Sequence, residues 1–366
     1  MYLQNIKLSN FRSYSYLDLS FSDKTNIICG KNAQGKTNII EAIHYFSTLK
    51  SHRFVSDKEL ILSGCDAAQL QILFQKDENS TRSRKMKISL SKTAKRELYQ
   101  NDIKEDNASF LGGFHSVLFS PEDLNLIKGE KEQRRKFLDA DVCQIRPRYY
   151  KILKYYHSIL RSRNKLLKEE HVDPALFEVY TDKLVEFGTE VIIYRALFVE
   201  RLKETAKKIY SEIATGKESL TLRYESELFD EFVEDRQAIR DCFYQKLEQV
   251  KSEELLFRTT RVGPHRDDLE FFLDDKNVKI FASQGQQRTI ILALKLSELI
   301  FIRELTGSYP VLLLDDILSE LDRERQESLF AYIQNCQTII TITDAQKFEV
   351  PGAKTFLVEQ SVVTEQ

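Results

Sequence analysis

Cysteine, proline and glycine are all sparse here: five, six and twelve residues respectively in a chain of 366. Cys29, Cys65, Cys143, Cys242 and Cys336 are odd in number and form no CxxC pair. The six histidines show no metal-ligand spacing with them. This excludes a disulfide framework and a zinc site, and leaves reduced thiols. Long apolar runs are missing too. Even VIIYRALFV is broken by Arg195, well short of the ~18 uncharged residues of a membrane helix. MYLQNIKLSNF lacks the charged-then-apolar pattern of a signal peptide, so the expectation is a soluble, cytoplasmic protein. An excess of one charge is also lacking. The net charge of −2 names no partner, so any nucleic-acid surface must come from local clustering. What is present is 42% hydrophobic residues, ample for two or three compact units.

The patterning predicts an α/β fold in three stretches. Residues 1–130 begin with alternating strands, YLQNIKLSNF and YLDLSF, and a short buried strand, NIICG. TNIIEAIHYFSTL then has apolar residues at helical spacing, followed by the strands AQLQILFQ, RKMKISLS and SVLFS. Across 131–255 glycine nearly vanishes and apolar residues recur every three to four positions, which predicts a helical insertion broken at Asp173-Pro174 and by the strand SLTLRYE. Over 256–366 the pattern predicts strands DLEFFLDD and NVKIFAS, a long helix from Gln287, the strand PVLLLDD, a helix and the strand TIITITD.

The sequence GKNAQGKT at 30–37 fits G-x-x-x-x-G-K-[ST], with a strand before it and a helix after it. A chance match in a chain this long is roughly a 1% event on average residue usage. Gly30 and Gly35 allow the backbone amides of Lys31, Asn32, Ala33 and Gln34 to turn inward around a phosphate, and the helix adds its positive end. Lys36 would reach the β- and γ-phosphates, and Thr37 would offer a hydroxyl to Mg²⁺. Hydrolysis also needs carboxylates. Asp315 and Asp316 close the strand VLLLDD, at the strand end where α/β sheets place ligands. Asp315 would hold the metal, and Asp316 would orient or deprotonate the attacking water.

SQGQQR at 283–288 opens the long helix, and SELD at 319–322 follows the acidic pair. Together with FRSY at 11–14, this set resembles the ABC-type ATPases and, within them, the branch that includes the SMC heads. NFRSY, GKNAQGKTNIIEAI, VLFSPEDLNLIKG with RRKFLD, TRVGPHRDDLEF, SQGQQRT and LLLDDILSELD resemble the RecF family in order and spacing. The resemblance spans nearly the whole chain and is vague across 145–255. It implies an ABC-type ATPase head with a helical second lobe inserted. It also implies an ATP-dependent homodimer in which Ser283, Gly285 and Gln286 of one subunit cap the γ-phosphate held by the other. The residues alone leave Ser283 open between that role and an ordinary helix cap.

Asp316 stands where many transporter-type proteins carry Glu, so hydrolysis is expected to be slow, a timer rather than a motor. No Q-loop glutamine is visible, and Ser120, Pro121 and Glu122 stand in about its place. No switch histidine follows the last strand, where Thr343 and Asp344 are the polar residues. Arg12 either packs in its turn or approaches the nucleotide. GPHRDDL at 263–269 is either a turn of solvated charges or a loop near the nucleotide or dimer seam.

Residues 146–168 hold eight Lys or Arg, no acid and four tyrosines, and residues 82–96 hold seven basic residues and no acid. Basic side chains neutralise phosphates and tyrosines can stack on bases. Arg146, Arg148, Lys151, Lys154, Arg161 and Arg163 are therefore candidate contacts to single- or double-stranded DNA. No base-reading motif is present, so recognition should be of backbone and structure. The RecF resemblance implies action at gaps and junctions with RecO and RecR in placing RecA, hence recombinational repair and the SOS response. An ATPase subunit of a membrane transporter and another SMC-like head are the alternatives.

Overall fold

A computed structural model describes all residues except 54, 77–81, 215–217, 233 and 344–351. Along the chain run β1 (Tyr2–Phe11), β2 (Tyr14–Ser20), β3 (Thr25–Cys29), α1 (Lys36–Thr48), β4 (Ala67–Gln75), β5 (Arg84–Ser91), β6 (Glu97–Gln100), β7 (Ile103–Glu105), α2 (Asn107–Phe110) and β8 (Ser116–Phe119). Then come α3 (Asn125–Lys128), α4 (Lys131–Ile145), α5 (Pro147–Leu166), α6 (Pro174–Ile213), β9 (Leu220–Glu225), α7 (Arg236–Phe257), β10 (Asp268–Leu273), β11 (Lys276–Asn277) and α8 (Val278–Phe281). The chain ends with α9 (Gln284–Thr306), β12 (Val311–Asp315), α10 (Arg323–Ile333), β13 (Thr338–Ile342), β14 (Lys354–Glu359) and β15 (Val362–Glu365).

Two compact units result. The first comprises Met1–Asp123, Glu212–Thr215 and Arg288–Gln366, and the second Leu124–Ser211 and Gly216–Gln287. Residues 256–287, expected with the C-terminal part of the ATPase lobe, fall in the second unit instead. The reason is sheet pairing: β10 pairs antiparallel with β9, Asp268 opposite Glu225 through Leu273 opposite Leu220. Within that stretch NVKIFAS is not a strand. Only Lys276–Asn277 pairs, and α8 follows, capped by the Asn277 side chain on the amide of Lys279.

The first unit holds two sheets. One is antiparallel, in the order β2-β1-β4-β5-β6-β7. Its alternation is read directly in the strands: Ala68, Leu70, Ile72 and Phe74 of β4 are buried, with Gln69 and Gln71 between them turned to the other face. The other sheet runs β15-β14-β3-β13-β12-β8, with β14, β3, β13, β12 and β8 parallel. Its strand β12 reads as a nearly unbroken apolar run, as expected of a parallel strand covered on both faces. The buried Gln337 joins the two sheets: its amide donates to Leu3 O at 2.8 Å and Ser22 O at 2.6 Å, and its carbonyl accepts from Leu3 N at 2.7 Å.

The second unit is mostly helical, and α6 alone spans 40 residues. Among the described residues its interior carries three buried ion pairs: Arg134–Asp268, Arg195–Asp139 and Arg163–Glu254. Such pairs offset their desolvation only with good geometry and full hydrogen bonding. Arg195 meets that demand. It reaches both Asp139 oxygens, at 2.8 and 3.0 Å, and Pro264 O at 2.6 Å. Among the described residues no helix is long and apolar enough to cross a membrane.

Candidate nucleotide-binding site

The glycine loop lies between β3 and α1, as its spacing predicts. Gly30 has φ +151°, and a Cβ there would sit 2.3 Å from Val358 O of β14. Gly35 has φ +112°, and a Cβ would meet the Tyr14 hydroxyl at 2.9 Å. Both conformation and space therefore require glycine. Among the described residues no side chain caps the start of α1, which leaves its first amides facing the loop. Gln34 is held from the C-terminal hairpin, where Gln360 N donates to its Oε1 at 2.5 Å and Ser361 N to its carbonyl at 3.1 Å. Lys31, Asn32 and Ala33 are exposed.

Lys36 is buried, and its ammonium donates to Gly30 O at 2.8 Å and Lys31 O at 3.2 Å, with Asp316 at 4.0 Å. It is thus folded against its own loop, one side-chain rotation from a phosphate seated there. The Thr37 hydroxyl donates to Asp315 Oδ1 at 3.0 Å. The strand order places β12 two strands from β3, so β13 intervenes. That spacing brings the two predicted metal ligands, 278 positions apart in sequence, into contact. Two hard oxygens fit Mg²⁺, which keeps several waters and needs no all-protein cage.

Burial pushes the Asp315 carboxyl above its usual range, and the hydroxyls of Thr341 and Thr37 work against that. Thr341 is a site residue the sequence reading missed. Its hydroxyl donates to Asp315 Oδ1 at 2.7 Å and accepts from Asp316 N at 2.9 Å. The parallel register, Asp315 opposite Thr341, explains the contact, and a polar residue alternating into TIITI was its only signal. Thr343 is exposed, and Asp344 lies outside the described residues. Asp316 has left-handed backbone, φ +51°, and its side chain is one-third exposed.

FRSY frames the loop. The Tyr14 hydroxyl donates to Gly35 O at 3.2 Å, and Ser13 Oγ accepts from Asn38 Nδ2 at 3.0 Å. Arg12 forks onto the fully buried Glu41 of α1, at 2.7 and 2.8 Å. Burial works to raise the Glu41 pKa, but the hydrogen bonds from Arg12 and Ser51 outweigh it, and the carboxyl titrates below its usual range. Arg12 also donates to Glu59 O at 3.2 Å, which holds its side chain beside α1. In the Q-loop position Ser120 N donates to Asp123 Oδ2 at 2.7 Å, and Glu122 is exposed.

In the second unit Ser283 caps α9 reciprocally. Ser283 N donates to Gln286 Oε1 at 2.7 Å, and Gln286 N to Ser283 Oγ at 3.3 Å. The Gln286 amide also donates to Glu218 at 2.6 Å. Ser283 is exposed and Gly285 half-buried. GPHRDDL is not a turn of solvated charges, although Arg266 itself is exposed. His265 Nδ1 lies 2.6 Å from the Tyr156 hydroxyl, Asp267 accepts from the Tyr224 hydroxyl at 2.5 Å, and Asp268 pairs with Arg134. Burial pushes the His265 pKa down to about 4.

Arg146, the N-cap residue of α5, and Arg148, Lys151, Lys154 and Arg161 on it are exposed, and from 148 onward they recur close to helical spacing. Arg163 is a correction. It is 1% exposed, paired with Glu254 and stacked 4.4 Å from the Phe177 ring, so it cannot reach DNA. Tyr149 and Tyr156 are also buried.

Comparison with known proteins agrees with this geometry. The family model described as the RecF/RecN/SMC N terminal domain matches residues 2–361. DNA replication and repair protein RecF of Bacillus thuringiensis (strain Al Hakam) is 40% identical over 99% of this chain and 98% of its own length, as is that of Bacillus anthracis (strain CDC 684 / NRRL 3495). A solved structure of the recombination mediator protein RecF with ATP superposes with a TM-score of 0.92 at 33% identity, covering all of this chain and 97% of the other. An SMC head bound to the C-terminal winged-helix domain of ScpA shares the fold alone, with a TM-score of 0.56 at 14% identity. With its phosphate loop, paired aspartates and full-length match to these relatives, the chain belongs to the RecF family of DNA replication and repair proteins, ATPases built on the fold of the SMC heads.

Proposed function

We propose that this protein is an ATP-gated DNA clamp. The observation that carries the reading is the union of Lys36, Thr37, Asp315 and Asp316 at one end of the parallel sheet, in a chain alike over its full length to RecF proteins. Lys36 leaves the Gly30 and Lys31 carbonyls for the β- and γ-phosphates. Thr37 and Asp315 would hold Mg²⁺, which supplies charge neutralisation at the phosphate oxygens. Asp316 orients and deprotonates the attacking water. Aspartate is one methylene shorter than the glutamate usual in transporters, so turnover is slow and sets the lifetime of the closed state. Ser283, Gly285 and Gln286 of a second copy complete the γ-phosphate site. The exposure of Ser283 at a helix start supports this role.

The exposed basic face of α5 binds the DNA backbone without sequence preference. Action at gaps with RecO and RecR, placing RecA during recombinational repair and the SOS response, follows from the family. The transporter-subunit alternative finds no support among the relatives. Sedimentation with and without ATP and DNA tests the gate. A dimer that appears only with ATP and persists in Asp316→Asn is expected. A permanent monomer, or a dimer indifferent to nucleotide, would refute the reading.

A further inference from the structure

His52 stands on a segment that none of the motifs above uses. Both of its ring nitrogens are shielded from solvent and meet no hydrogen-bond partner among the described residues. Leaving a buried donor or acceptor unpaired is costly, and such a group in a folded protein calls for an explanation. The segment is not loose. The Ser51 hydroxyl donates to Glu41, Arg53 N donates to Ser51 Oγ at 3.1 Å, and the Arg53 guanidinium donates to Asn38 Oδ1 at 3.2 Å and lies 3.9 Å from Glu41. Asn38 directly follows Lys36 and Thr37, so residues 51–53 are tied alongside the first turn of α1. That turn is where the phosphate loop delivers the far end of a nucleotide.

The other neighbours point to the same place. The ring of His52 lies 6.4 Å from that of His44, whose Nδ1 is 3.0 Å from Ser116 Oγ at the start of β8. Phe119 of β8 is level with Leu314, so the turn holding Glu122 leaves the sheet beside Asp315. Burial, the largest influence, lowers the His52 pKa, while the Glu41, Asp315 and Glu122 carboxylates oppose it and Arg53 adds to it. The imidazole is therefore neutral near pH 7, with one nitrogen a donor and the other an acceptor. A neutral N–H held rigidly among carboxylates suits a phosphate oxygen that arrives with its own cations.

We propose that His52 completes the terminal-phosphate side of the nucleotide site, its ring N–H donating to the γ-phosphate of bound ATP. This rests on the ATPase reading above and gives the loop after α1 a role in telling triphosphate from diphosphate. The test is calorimetric titration of the full chain with Mg²⁺ and either AMP-PNP or ADP. His52→Ala should weaken AMP-PNP binding about tenfold, the worth of one hydrogen bond to a charged group, while ADP affinity stays within about twofold. His52→Asn, which keeps an N–H donor, should recover most of the loss. If His52→Ala melts below the working temperature, His52→Phe fills the ring volume without a donor and is read in the same way. Equal weakening of both nucleotides would make His52 a packing residue and overturn the proposal, as would unchanged affinity for both. Failure of the wild-type chain to bind AMP-PNP would remove the ATPase reading as well.

Discussion

At the scale of single residues, burial decides which charges are structural and which are available. Arg163 and Lys154 sit on the same basic helix, and the sequence treats them alike. Arg163→Ala would strand Glu254 in the interior and should cost about 3–5 kcal/mol, seen as a lowered melting temperature. Lys154→Glu should leave the melting temperature alone and weaken DNA binding, with a shallower salt dependence. The pair of variants separates the two roles in one protein preparation. Thr341 makes a second case. Thr341→Val removes the hydroxyl that steadies Asp315 and should weaken Mg²⁺–ATP binding by about 1 kcal/mol, while Thr341→Ser should retain it. His265 supplies a pH prediction. Its pKa is depressed to about 4, against about 6.5 when unfolded, because burial disfavours the charged ring. Its contribution is therefore fully present above about pH 6.5 and is lost as pH falls through 4, amounting to about 3 kcal/mol across that window. Denaturant titrations between pH 7 and 4 should show this slope, and His265→Gln should flatten it.

At the scale of elements, the periodic stretches were legible. The strand–loop–helix of 25–48, the 40-residue α6 beginning at Pro174, and β12 ending at Asp315 all stand where apolar spacing puts them. The phosphate-loop residues needed no tertiary knowledge, because the chemistry is local to eight positions. What escaped was non-local or short. The β6–β7 and β14–β15 hairpins turn on Asn101-Asp102 and Gln360-Ser361, each pair in left-handed backbone. Two such residues between strands are the mark of a tight hairpin, and Asn-Asp was the one visible hint. NVKIFAS has the alternation of a strand, but its Asn277 caps a helix instead. Thr341 becomes part of the site only through its register against β12, which no single segment encodes. GPHRDDL stayed open between two readings because its side chains find partners far along the chain: Tyr156, Tyr224 and Arg134.

At the scale of the whole molecule, the net charge of −2 hides a division of labour. Basic residues line α5, while acidic residues pair internally or gather elsewhere, so the protein stays near neutral and still presents a phosphate-binding face. With five exposed Lys and Arg there, log affinity for duplex DNA should fall with log salt at a slope of roughly −4.5 if all engage phosphates. A flat response would place the DNA surface elsewhere.

The phosphate loop also depends on residues more than three hundred positions downstream. The Val358 carbonyl leaves no room beside Gly30, and the turn at Gln360-Ser361 hydrogen-bonds Gln34 from the far side. The cradle at the front of the chain is thus propped from the back. Trimming the protein after Lys354 by limited proteolysis should therefore silence nucleotide binding without touching a single residue of the GKNAQGKT motif.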